Sequence, residues 1–151
     1  MKTQTYSMLD AMLASPTEPM NQKQRLHQLT RMWEGLHSLE LDSIPTKDDW
    51  AVCSDAVNLM ETLIEQKHIV DPNNMLFDAM TALAEAGQRN LEGKPLRLDG
   101  AGIQAIRGVL EDYSMVLESL PARTMIHCHR LTEKRLNEIM KGKMKSHDVS
   151  V

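Results

Sequence analysis

Apolar residues recur at spacings of three and four in six stretches of the chain, and the strict alternation of a strand is nowhere sustained. The pattern predicts an all-α fold, a bundle of five or six helices. Tyr6, Leu9, Met12 and Leu13 fall on one side of a short first helix, which Ser15 and Pro16 stop because the residue before a proline avoids the α region. Leu26, Leu29, Trp33 and Leu36 form the stripe of a second helix ending near Leu39. Thr46 caps a third, in which Asp48 and Asp49 suit the positive end of the helix dipole and Trp50, Cys53, Val57, Met60 and Ile64 form the buried stripe.

Asp71 as cap and Pro72 at the first helical position predict the start of a fourth helix, continued by Leu76, Phe77, Met80 and Leu83. Gly87 and Gly93 then bracket a break. The least periodic stretch, from about Asn90 to Asp99, reads as a mobile loop. Asp99 caps a fifth helix whose Ile103, Ile106, Leu110, Tyr113, Leu117 and Leu120 keep an alternating three and four spacing suited to antiparallel packing. Pro121 turns the chain into a sixth. Nothing after Met140 caps or repeats, so 142–151 reads as a flexible tail of a single domain, 1–151.

Composition sharpens this picture in three respects. With 42% hydrophobic and 25% charged residues the chain can bury a core, and it is far from the composition of a disordered one. No apolar run approaches the roughly 18 residues of a membrane span, and the first residues lack the apolar centre of a signal peptide, so a cytoplasmic protein is expected. Cys53 and Cys128 lie in different helices among apolar neighbours, which predicts reduced core thiols. Twelve methionines against 3% aromatic residues imply a core filled by flexible side chains or an adaptable surface.

The stretch TMIHCHRLTEKR, Thr124 to Arg135, carries the most suggestive chemistry. Successive helical residues point about 100° apart, so His127, Cys128 and His129 diverge, whereas ligands of one metal on a helix want spacings of three or four. No metal site is expected there. Cys128 shares a register with Leu131, Leu136, Ile139 and Met140, which predicts a core stripe. Arg123, His127, Arg130, Lys134 and Lys141 line up on the other side as a basic ridge. From Pro121 onward there are 7 Lys and Arg against 3 Asp and Glu, while the preceding chain has 10 against 18, so an acidic body carries a basic last helix. Such a ridge either complements the acidic helices, keeps a solvated face, or binds a partner.

Other stretches offer less. DGAGIQ, from Asp99, could hold an anion at a helix N-terminus, yet it lacks the lysine of a phosphate-binding loop and follows no strand; a plain cap is the competing reading. His27 and His37 do not share a direction on the second helix. Asp48 and Asp49 are adjacent and diverge. With no convergent polar constellation in the spacing, neither an enzyme nor a cofactor is expected.

The segment LDGAGIQAIRGVLEDYSMVLESLPARTMIHCHRLTEKR, with DDWAVCSDAVNLMETL upstream, resembles small helical accessory proteins carried by phages and conjugative elements of proteobacteria, a class that includes anti-CRISPR and other anti-defence inhibitors. The resemblance implies a non-catalytic inhibitor that binds a host protein or nucleoprotein complex, and it assigns no residue. The alternative from the residues themselves is a nucleic-acid-binding regulator, acting as a homodimer through its last helix. Scarce aromatic residues argue against single-strand stacking, which leaves phosphate contacts by Arg123, Arg130 and Lys134.

Overall fold

A computed structural model describes residues 5–71 and 74–142. Six helices follow in order: α1 (Met8–Leu13), α2 (Gln22–Leu41), α3 (Lys47–Glu65), α4 (Leu76–Leu91), α5 (Gly100–Ser119) and α6 (Ala122–Met140). Among the described residues there is no strand, and no helix is long and apolar enough to cross a membrane. The segment expected to be a flexible tail lies, beyond Gly142, outside the described residues.

The helices α2 to α5 pack as antiparallel neighbours. Gly35 of α2 lies against Asp49 and Cys53 of α3, and Gly102 and Gly108 of α5 lie against Ala82 and Met75 on the α4 side. Then α5 returns to α2, where Arg107 binds Glu40 and Tyr113 binds Gln28, so residue numbers rise on one helix as they fall on the other. Helix α3 touches α2, α4, α5 and α6, which explains why its burial spreads beyond the expected stripe to Ala56, Leu59 and Leu63. Along α5 the expected stripe is buried from Ile103 to Leu117, and Leu120 is half-buried.

Local chemistry sets most helix starts. Thr46 Oγ1 accepts from the Asp49 amide at 3.2 Å while Asp49 Oδ2 accepts from the Thr46 amide at 3.0 Å. That reciprocal pair satisfies two backbone donors at the start of α3. Ser7 and Asp10 do the same for α1, and Asp99 accepts from the Gly102 amide at 2.7 Å. In α4 the expected cap acts at longer range: Asp71 accepts from the Leu76 amide at 3.3 Å, but the helix starts at Leu76, and Pro72 lies outside the described residues.

Several expectations need correction. The apolar face of α1 is turned to solvent, with Met8, Leu9, Met12 and Leu13 each more than 60% exposed. This helix is held by Ala11 and the flanking Tyr6 and Ala14, which pack against the core, and by backbone contacts of the segment that follows it. Pro121 offers α6 no side-chain cap, and the free amides of Ala122 and Arg123 are satisfied by the carbonyls of Glu18 and Ser15, just past α1. In α2 the buried side is Met32, Gly35, Leu36 and Leu39, while Leu26 is exposed and Leu29 and Trp33 are half-buried. Gly35 decides this rotation, because a missing side chain lets the backbone of α3 approach on that side. Trp50 and Leu136 are likewise only half-buried.

Gly87 lies inside α4 and seats the Trp50 ring, whose Nε1 donates to the Leu83 carbonyl at 2.9 Å. The helix runs on to Leu91 and stops at Gly93, where φ is +88° and glycine has no steric penalty. The following segment is anchored: Leu96 is buried, and Arg89 and Asn90 donate to the carbonyls of Arg97 and Lys94.

Candidate interaction surface

Helix α6 buries Ala122, Met125, Ile126 and Cys128 in its first two turns. The expected continuation of this stripe is looser, since Leu131, Leu136 and Ile139 are half-buried and Met140 is 86% exposed. Polar contacts hold this half to α3. Thr132 and Thr62 share a hydrogen bond of 2.6 Å, and Arg135 Nη1 reaches Glu61 at 2.9 Å and Glu65 at 2.7 Å. Burial pushes the Glu61 carboxyl upward, and the Arg135 charge opposes that shift.

His127, Cys128 and His129 diverge as the helix angle requires. His127 is exposed; Cys128 is fully buried, and burial pushes its thiol up to about 11. His129 meets Tyr6 in a tilted ring contact with centroids 5.1 Å apart, and its Nε2 is sealed without a hydrogen-bond partner among the described residues. Burial lowers its pKa to about 4, so the ring is neutral at pH 7. Cys53 is buried too, its thiol pushed up to about 12, first by burial and then by the Asp49 charge. Among the described residues no group of three His, Cys, Asp or Glu could hold a metal ion.

The ridge divides on inspection. Arg123 Nη2 donates to the Met12 carbonyl at 3.0 Å, so this residue ties α1 to α6. His127, Lys134 and Lys141 are exposed and Arg130 is half-buried, all on the side away from Cys128. Among the described residues none of these four forms an ion pair. Glu138 lies between Lys134 and Lys141 in sequence and pairs with neither. The cation that complements the acidic body is Arg135, which the ridge reading passed over. Its signal was available in Glu61 and Glu65, four apart on one face of α3, but which helix would face them was not.

The other candidates resolve as structure. Asp99 fills the amide site expected of DGAGIQ for an anion, and a side chain at Gly102 would stand 3.1 Å from the Ala82 methyl, so this glycine serves the packing of α4 and α5. Asp49 caps α3 and approaches Arg31 at 3.8 Å. His27 and His37 are both exposed.

A cleft of about 630 Å³ opens between α2, α3 and α6, and sequence reasoning did not find it. Met32, Val52, Ala56 and Leu59 contribute its apolar part from α2 and α3, and Leu136 and Met140 contribute from α6. Tyr113 lines its inner end and donates to Gln28 Oε1 at 2.9 Å, and Gln28 Nε2 donates to the Tyr6 hydroxyl at 3.2 Å. A smaller cavity of about 270 Å³ lies between α3, α4 and α6. Residues three helices apart line the cleft, so no local pattern announces it. No protein-family model matches the chain, and no curated protein or solved structure was found to match it.

Proposed function

We propose that this protein is a non-catalytic helical interaction protein, a mobile-element-encoded inhibitor of the anti-CRISPR kind that binds a host protein or nucleoprotein complex through the outer face of α6. The observation that supports this reading is the division of labour among the basic residues of α6. Arg135 pairs with Glu61 and Glu65 of α3, whereas His127, Arg130, Lys134 and Lys141 remain without an ion pair among the described residues. Cations held on a helix and uncommitted internally can meet an acidic surface without first breaking an internal pair. Such complementarity steers encounter and fixes register, and salt weakens it.

The test is the double reversal Arg130→Glu and Lys134→Glu. Complex formation with the partner captured from host lysate should weaken by about tenfold or more, since two charge contacts become repulsive, while stability changes by less than about 0.5 kcal/mol. Unchanged melting together with unchanged affinity would leave this face merely solvated.

The same row supports a second reading, a regulator that contacts nucleic-acid phosphates. Three cations engaging duplex DNA would give a plot of log affinity against log salt with a slope of about −3. A slope near zero with duplex or single strands removes this alternative.

A further inference from the structure

None of the ridge residues lines the cleft between α2, α3 and α6, and nothing in the proposed function uses it. We propose that it is a binding site for a small amphipathic molecule with a compact apolar body and a cationic amine head. Its volume of about 630 Å³ falls within the roughly 300 to 1,000 Å³ of small-molecule sites, which in helical bundles commonly lie between helices.

The lining selects the chemistry. Met32, Val52, Leu59 and Leu136 offer apolar contact, and methionine side chains adapt to the shape of a guest. The inner end is preformed, because Tyr113, Gln28 and Tyr6 are tied in one hydrogen-bonded chain and Tyr6 meets His129 in a tilted ring contact. The Gln28 oxygen and nitrogen are both engaged in this chain. Thr132 is engaged by Thr62 and by the Cys128 carbonyl, and Arg31 is held toward Asp49. Glu133 is half-buried in the lining, and among the described residues it makes neither a hydrogen bond nor an ion pair. Asp55 and the cation Arg31 lie in the same lining but each already has an interaction of its own, so Glu133 is the acceptor that the cleft offers a positive head group. His129 stays neutral at pH 7 and does not oppose that charge.

The experiment uses the full chain and the fluorescent probe N-phenyl-1-naphthylamine, with decylamine and decanoate as matched competitors below their micelle thresholds. Wild type should bind the probe saturably at one to one, and decylamine should displace it about tenfold more effectively than decanoate, the ratio that one charge-assisted hydrogen bond supports. Glu133→Gln should keep probe binding and lose most of that preference. Leu136→Trp, which adds volume from a half-buried position, should abolish probe binding while the circular dichroism spectrum remains helical. Absence of saturable binding by wild type overturns the proposal, as does a head-group preference that survives Glu133→Gln. If Leu136→Trp fails to fold, the Glu133→Gln comparison still decides.

Discussion

Acidification should destabilise this protein through His129, and the size of the effect follows from where the ring sits. Its pKa lies at about 4 in the folded chain against an ordinary 6.5, because Nε2 is sealed and has no acceptor to which a charged ring could donate. Between pH 6.5 and 4 the unfolded chain binds more protons at this site than the folded one, so stability rises with pH in that window and falls as pH is lowered through it. At 1.36 kcal/mol per pKa unit the ceiling is about 3 kcal/mol. The residue as a whole is half-buried, and solvent screening reduces the expected loss to about 1–2 kcal/mol.

His129→Phe removes the titration and keeps a ring against Tyr6. At pH 7 the variant should match or exceed wild type by up to about 1 kcal/mol, since an unpartnered buried polar atom is lost. Urea unfolding, followed by circular dichroism at pH 7, 6, 5 and 4.5, should show the gap widening with acid. Charged or titratable groups of the adjoining cleft, His27 and Arg31 on α2, Asp55 on α3 and Glu133 on α6, are common to both proteins. So is Glu61, whose raised pKa acts in the opposite direction. The difference between the two chains isolates His129, and a gap that stays constant over this range would refute the reasoning.

Packing and caps predict the outcome of four further substitutions. Leu117→Ala should cost about 2–5 kcal/mol in urea unfolding, because the side chain is fully buried and leaves a cavity; a loss under about 0.5 kcal/mol would place it at the surface. Gly35→Ala puts a methyl 3.0 Å from the Asp49 carbonyl oxygen, which belongs to backbone that cannot easily yield, so overpacking should outweigh the helix-propensity gain and cost about 1–2 kcal/mol. Gly100→Ala, with open space around it, should not destabilise, and the two melting curves compared side by side check the contrast. Thr46→Ala removes one half of a reciprocal cap and should cost about 0.5–2 kcal/mol, read from the same unfolding curves.

What the sequence alone determined was the part of this protein that depends on near neighbours. The six helices, the caps at Thr46 and Asp99, the buried stripe of α5 and the divergence of His127, Cys128 and His129 all follow from 3.6-residue periodicity and from side chains reaching amides a few residues away. The outward direction of His127, Arg130, Lys134 and Lys141 belongs here as well, because it is the geometric complement of a buried Cys128. Tertiary structure decided whatever depends on which helix faces which. It turned Met8, Leu9, Met12 and Leu13 of α1 to solvent while Ala11 packs against the core, and it rotated α2 onto the side where Gly35 admits α3. It also paired Arg135 with Glu61 and Glu65 of α3, engaged Arg123 with α1, and left the cleft between α2, α3 and α6 open. Periodicity reports the direction of a side chain around its own axis; the distance to the next helix is set by the packing of the whole core, and that distance decides whether an apolar stripe is buried or lines a cavity.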